Sequence, residues 1–401
     1  MSELIVRLGD RRVGRLILKG NGNMQFRYDP GYEGPAVSQA LPVQSGAHPH
    51  AVCHAVFGGL LVEGDARAVL ARNLGIAPGN DYALLRELGG DCAGALTLLA
   101  DEEDPPVAPR TMPLDEERFD ALLHELPRRP LGADAEAGVR LSLAGAQPKL
   151  PIILDEEGMA LPLNYLAATT HIVKPEPPRF PGLVDNEAFC MALARAIELP
   201  AASVSKRRSI SGLPYLLVER YDRDPTTDPI RRLHQEDFCQ ALGRPSERKY
   251  QSEGGPSVVD IVKLLRLCSA VPARDQTILW RALVLNWLIG NCDAHAKNFS
   301  LLYDKRDPTL APLYDLVSTA VYPELTHRLA MSIGPARRID EVDAAAWEAL
   351  AGAAGLSRRF AAATTPPTVE RVLAEAERLV GLPEHDNATA RAIVEGIGRR
   401  V

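Results

Sequence analysis

The apolar positions at the start of the chain fall into short runs of strand length, broken by turn residues. Residues 4–8 and 13–18 read as two strands separated by Gly9-Asp10, a hairpin signal. A second turn at 21–23 leads to a third strand at 24–28, and Asp29-Pro30-Gly31 then breaks the pattern. From about residue 51 the apolar period becomes helical, through 66–74 and again over 81–88 before Gly89-Gly90. The acidic, Pro-bearing stretch 101–106 reads as an exposed linker. An amphipathic helix is predicted over 114–126. Strands return at 140–143, 150–154, 170–173 and 215–218. Among them lies a helix with Phe189, Leu193 and Ile197 on one face and Asp185 as its predicted N-cap. After Arg223 the periodicity is mostly helical, most clearly over 258–268, 276–289, 341–353 and 369–379. A β-rich first half and an α-rich second half suit an α+β chain with segregated lobes.

Composition narrows the class. The 401 residues are 46% hydrophobic and 24% charged, too apolar for disorder to dominate. With 45 Lys and Arg against 52 Asp and Glu, the net charge of −7 argues against a chain that coats nucleic acid or anionic membrane unaided. No apolar run reaches the ~18–20 residues of a membrane span; the best, 282–290, contains Asn286. The first residues carry no signal-peptide pattern. The six cysteines form no CxxC pair and read as reduced, mostly buried thiols of a cytoplasmic protein.

Candidate chemistry concentrates at 291–298, N-C-D-A-H-A-K-N, where an apolar helix gives way to a loop crowded with polar groups. Phosphoryl transfer from ATP needs a carboxylate to accept the proton of the acceptor hydroxyl. It also needs hard oxygen donors to hold Mg2+ on the phosphates. Asp293 and Asn298 have the D-x-x-x-x-N spacing of protein kinases, and Asp315 lies downstream in an apolar run. Asp293 then reads as the base and Asn298 with Asp315 as metal ligands, with Lys297 near the γ-phosphate. The His-Arg that usually leads the kinase loop is absent.

The phosphate-contacting half is less distinctive. Lys174 ends a strand before Pro175, where a point charge suits phosphate oxygens. Glu187, early on the following helix, either pairs with it or complements the helix dipole. Residues 144–149, Ala144, Gly145, Ala146, Gln147, Pro148 and Lys149, form a loop of mainly small residues that would admit phosphate to backbone N–H groups. Taken alone, this segment is an ordinary hairpin turn. Residues 218–223 stand where a kinase hinge would meet adenine. The four ligand-type residues His48, His50, Cys53 and His54 read as a polar loop entering a helix, because Pro49 breaks the run and no partner pair stands elsewhere. The arginine pairs 207–208, 231–232 and 337–338 read as solvated faces.

These blocks together resemble the HipA family of serine/threonine kinases, the toxins of bacterial HipBA toxin–antitoxin modules. The resemblance spans nearly the whole chain: L-L-V-E-G at 60–64, G-G-D-C-A-G-A-L at 89–96, S-L-A-G-A-Q-P-K at 142–149, H-I-V-K-P at 171–175, D-N-E at 185–187, E-R-Y-D-R at 219–223, H-Q-E-D-F-C-Q at 234–240, K-Y-Q-S-E-G-G-P at 249–256, the 291–298 loop and Tyr314-Asp315. It implies an α+β, two-lobed protein-kinase-like fold similar to phosphatidylinositol kinases. A small β-rich N-terminal domain would span 1–104, a kinase N-lobe 105–224 and an all-helical C-terminal lobe 225–401. It implies ATP and Mg2+, and a protein acceptor such as an aminoacyl-tRNA synthetase, whose modification causes growth arrest and persistence. It implies that Lys174, Glu219, Tyr221, His295, Lys297, Asn298 and Asp315 contact the nucleotide along with 144–149, that Asp293 is catalytic, and that Ser142 is autophosphorylated. It implies a HipB-like helix-turn-helix antitoxin through which the chain would meet operator DNA. Pro148 and Val62 depart from the family pattern. A small-molecule kinase of the aminoglycoside type and a non-catalytic antitoxin-binding co-repressor are the competing readings.

Overall fold

A computed structural model of the chain describes residues 2–100, 107–132, 144–145, 147–304 and 307–401. The predicted strand at 140–143, Ser142 and Ala146 lie outside the described residues. The chain forms two compact units, Met1–Pro175 with Arg207–Glu247 and Leu302–Arg306, and Glu176–Lys206 with Arg248–Leu301 and Asp307–Val401.

Among the described residues the first unit holds two larger sheets and the short antiparallel pair Arg223–Asp224 with Arg231–Arg232. Ser2–Leu8 and Arg11–Leu18 form the hairpin that Gly9-Asp10 predicts, and Met24–Tyr28 and Leu96–Ala100 flank it in an antiparallel four-stranded sheet. Its register sets Leu4 opposite Leu16, Leu16 opposite Phe26 and Val6 opposite Leu98, so the fully buried side chains share one face. Helices Gly64–Asn73 and Asp81–Leu88 contribute Leu70, Leu84 and Leu88 to the same core. The second sheet runs Thr111–Leu114, Gly158–Pro162, Leu150–Asp155, His171–Pro175, Pro214–Glu219 and Val204–Arg208, the last being where the chain crosses between units. Helix Glu116–Glu125, capped by Asp115 on the Arg118 amide, lays Phe119 and Leu123 over Leu150, Val173 and Leu217.

The second unit is built on Pro272–Ile289. This helix starts at Pro272, where the missing N–H costs nothing, four residues before the predicted start. Trp280 is buried within it, its ring 5.3 Å from that of Trp347 and 5.4 Å from that of Phe360. Those residues lie on Ala344–Ala353 and Arg358–Val380. The latter extends well upstream of the predicted 369–379 and runs through Pro366 and Pro367, residues that ordinarily end a helix. Asp185 is not an N-cap. Helix Leu183–Ala196 begins after Gly182, whose φ is +78°, and Asp185 sits in its first turn, 2.7 Å from Lys206 Nζ.

The all-helical expectation for 225–401 does not hold. Strands at His234–Asp237, Ser300–Tyr303, Thr309–Leu310, Arg328–Ile333 and Ala336–Arg338 fall within it. Each is short and carries too few residues to impose a period on the sequence. Among the described residues no helix is long and apolar enough to cross a membrane. Five of the six cysteines are buried.

Candidate active site

The Asp293 loop is built from the end of the core helix of the second unit. Gly290 closes that helix at φ +79°, and a Cβ there would lie 2.7 Å from the Ala320 Cβ, so the turn needs glycine. Asn291 locks the exit. Its Nδ2 donates to Asn286 Oδ1 at 2.7 Å, and its Oδ1 accepts the Asp293 amide at 3.1 Å. The Cys292 amide donates to Thr319 Oγ1, and the Cys292 carbonyl accepts the Ala330 amide, each at 2.9 Å. The exposed Asp293 carboxylate accepts the Tyr250 hydroxyl at Oδ1, 2.8 Å away.

Five residues on, Asn298 closes a 3-10 turn over Ala296–Asn298: its Oδ1 accepts the His295 amide at 3.3 Å. His295 and Lys297 are buried, each 7% exposed. The Tyr314 hydroxyl donates to the Lys297 carbonyl at 2.7 Å and bonds Ser300 Oγ at 2.6 Å. That bond ties the Asn298 turn to the segment carrying Asp315. Leu313 and Leu316 bury the two sides of that segment, and the amide of Ala202 donates to Leu313 O. Asp315 itself has a left-handed backbone, φ +53°, a conformation that costs a side-chain-bearing residue about 1 kcal/mol. Asn298 and Asp315 are both half-buried and offer an amide oxygen and a carboxylate. Such hard donors suit Mg2+ carried on nucleotide phosphates, which takes one or two protein ligands. The donor set therefore fits that ion.

The other predicted contacts lie in the first unit. Lys174 is 5% exposed on the strand His171–Pro175, which pairs on both sides, with Leu216 opposite Lys174. Glu219 ends the next strand and is exposed, and Tyr221 donates its hydroxyl to Gln235 Oε1. Gly145, at φ +108°, bridges Val62, and its carbonyl accepts the Glu63 amide at 3.2 Å. Val62, one of the two family departures, thus touches the small-residue loop directly. Lys149 is buried and its ammonium donates to the Ala144 carbonyl. Gln147 and Pro148 are half-buried. Glu187 lies buried on helix Leu183–Ala196 of the second unit.

What the motifs did not reveal is the ionic network under residues 219–223. Arg220 grips both oxygens of Asp222, at 2.9 and 2.7 Å, and donates to Thr169 Oγ1 and Cys92 O. Asp91 accepts Arg223 at 2.9 Å, Arg232 at 3.1 Å and the Thr169 hydroxyl at 2.6 Å. The Gly94 amide donates to Asp222 at 2.6 Å. Burial alone would raise the Asp91 pKa, but the guanidinium groups of Arg223, Arg232 and Arg220 outweigh it and hold the carboxyl at about 2. Burial and the neighbouring Arg220 push Arg223 down to about 10. Arg232, read as solvated, is half-buried on Asp91 and Tyr165 O, whereas Arg231 is exposed on Asp224 and Asp304. The one visible signal was the density of charge in E-R-Y-D-R directly after an apolar strand. The four ligand-type residues of 48–54 turn to separate partners: His48 to Pro42 O, His50 to the Met24 amide, Cys53 to His48 O, and His54 to Asp81 and Glu247.

The family model of the HipA-like C-terminal domain matches residues 141–378, and that of the HipA N-terminal domain matches residues 4–99. The chain belongs to the HipA family. A relative in Sinorhizobium fredii, named "Putative kinase Y4mE", is 47% identical over 356 residues, 86% of this chain and 84% of its own. The serine/threonine-protein kinase toxin HipA of Shewanella oneidensis is 29% identical over 407 residues, 96% of this chain and 92% of its own. A solved chain in the complex of Shewanella oneidensis HipA, HipB and operator DNA superposes with a TM-score of 0.85 at 26% identity, covering 99% of this chain and 96% of that one. The fold is accordingly the mixed helix-and-sheet fold of a HipA kinase toxin, and kinase activity is the activity of the family.

Proposed function

We propose that this chain is an ATP- and Mg2+-dependent serine/threonine protein kinase, the toxin of a toxin–antitoxin module. The observation that carries the reading is the Asp293 loop. It presents an exposed carboxylate on a backbone bonded at Asn291, Cys292 and His295, with Asn298 tied to the Asp315 segment through Tyr314. Asp293 orients the acceptor hydroxyl and takes its proton. Asn298 and Asp315 hold Mg2+, which when bound neutralises charge on the transferring phosphoryl group. Lys174, Lys149 and Lys297 contact phosphate, His295 contacts the nucleotide, the backbone of 144–149 cradles phosphate, and Glu219 and Tyr221 meet adenine. The domains run 1–104, 105–224 and 225–401, the last two being kinase lobes of the phosphatidylinositol-kinase type.

The kinship with a HipA solved with HipB on operator DNA supports a helix-turn-helix antitoxin as partner. A net charge of −7 fits DNA contact supplied mainly by that partner. The acceptor is an aminoacyl-tRNA synthetase or another translation protein in the cytoplasm, and its modification arrests growth. Phosphate on Ser142, about −2 in charge, would repel nucleotide from the adjacent loop and switch the enzyme off. The test incubates the full chain with γ-labelled ATP and maps label by peptide mass. Phosphoserine at Ser142 in the wild type and none in Asp293→Ala is the expected result. No transfer to any protein, or transfer only to an aminoglycoside, overturns the reading.

A further inference from the structure

The Asp293 carboxylate is not left to find its own orientation. Its Oδ1 accepts the hydroxyl of Tyr250 at 2.8 Å, and Tyr250 is anchored as firmly as the loop it reaches. It precedes a 3-10 turn, Gln251–Glu253, that ends at Gly254 with φ +86°. The amides of Glu253 and Gly255 both donate to the Tyr250 carbonyl at 2.9 Å. A Cβ on Gly255 would fall 2.3 Å from the Arg248 carbonyl, so no other residue fits that close. Gln251 Oε1 accepts the amide and the hydroxyl of Ser332 at 2.8 and 2.9 Å. Ser332 lies on strand Arg328–Ile333, and Ala330 of the same strand donates to Cys292 O beside Asp293. The turn bearing Tyr250 and the loop bearing Asp293 are therefore fastened to one strand. The ring is fixed as well: it meets the His295 ring edge-on at 5.5 Å, and the Lys249 ammonium lies 5.6 Å from its centroid.

We propose that Tyr250 is a positioning residue for phosphoryl transfer, holding Asp293 by Oδ1 so that Oδ2 is the oxygen that accepts the acceptor proton. The inference rests on the kinase reading above and adds to it a residue whose hydroxyl bonds the base. An aspartate on an exposed loop samples several rotamers, whereas a donor on a rigid turn selects one. The hydroxyl donates throughout the transfer and gives up no proton. Misplacing a reacting group by about 1 Å costs up to ~100-fold in rate.

The experiment follows label from [γ-32P]ATP into the full chain itself, as a function of ATP concentration, for wild type, Tyr250→Phe, Asp293→Asn and the double variant. Tyr250→Phe keeps the ring contacts and removes the hydroxyl. Its rate at saturating ATP is expected to fall about ten- to a hundredfold while the half-saturating ATP concentration stays within about twofold. In the Asp293→Asn background the same change is expected to alter the residual rate less than about twofold, because a residue acting through Asp293 has nothing left to position. Tyr250→Phe within twofold of wild type overturns the inference. So does an equal slowing in both backgrounds, or an effect confined to half-saturation, and each leaves the kinase reading standing. Absence of transfer by the wild type overturns the kinase reading and this inference with it.

Discussion

Asp91 offers the sharpest test of what holds residues 219–223 in place. It is 1% exposed and answers three guanidinium groups, those of Arg220 at 3.6 Å, Arg223 at 2.9 Å and Arg232 at 3.1 Å. Asp91→Ala leaves those cations short of a counter-charge and Thr169 Oγ1 without its acceptor. Removing one partner of a buried ionic network costs about 3–5 kcal/mol, which for a unit of this size lowers the melting midpoint by roughly 6–20 °C. All three tryptophans, at 280, 287 and 347, lie in the second unit, so indole emission follows that unit. Hydrogen exchange of peptides covering Leu96–Ala100 and Pro214–Glu219 follows the first. Protection is expected to fall there in Asp91→Ala. Acid sharpens the assay. The Asp91 carboxyl is held at about 2 instead of its ordinary 3.8, so its stabilisation is present above pH 3.8 and is lost as pH falls through 2. That displacement corresponds to about 2 kcal/mol, a slope that Asp91→Asn removes. A first-unit midpoint within about 1 °C of wild type, with an unchanged acid limb, refutes the reasoning.

Two further outcomes are expected. Asp315→Gly relieves a left-handed backbone whereas Asp315→Ala keeps it, so Ala is expected to be less stable than Gly by about 1 kcal/mol while transfer is lost in both. Chemical denaturation and the labelling assay check this, and retained transfer in either variant refutes the assigned role. Burial raises the Glu236 carboxyl from 4.5 to about 7, against the bonds it accepts from Ser38, Tyr303 and the Gln39 amide. The folded state therefore binds the proton more tightly, and stability falls as pH rises from 4.5 to 7. The total is about 3 kcal/mol. Urea midpoints at pH 5 and pH 8 should differ less in Glu236→Gln than in wild type.

Local pattern carried the early elements well. Turn chemistry at Gly9-Asp10 located the first hairpin, and the spacing of apolar residues located the helices at Asp81–Leu88 and Val258–Cys268. It misled where a local rule met a tertiary override. Pro366 and Pro367 signal a helix end, yet Arg358–Val380 continues through them, with Phe360 packed on Trp280. Asp185 has the look of an N-cap, yet the left-handed Gly182 starts the helix three residues earlier. Short strands such as Arg328–Ile333 were invisible in a stretch dominated by helical periods, although this one anchors both Tyr250 and the Asp293 loop.

The site divides along the same line. Asp293, Asn298 and Asp315, the residues proposed for phosphoryl transfer, stand out in sequence by their types and by the spacing of the first two. The groups that hold them carry no such constraint. Tyr250 is 43 residues from the carboxylate it binds, Tyr314 is 17 from the Lys297 carbonyl, and Asn186 clasps the backbone of Ser318 across 132. Asp91 reaches Arg223 across 132 positions. Nothing local sets those separations; the order of strands and helices does. A motif therefore points to the groups proposed to react, and only the folded chain shows which groups bond them. This is why a hydroxyl deletion at Tyr250, outside every reacting group, is the perturbation that separates a positioned base from an exposed aspartate.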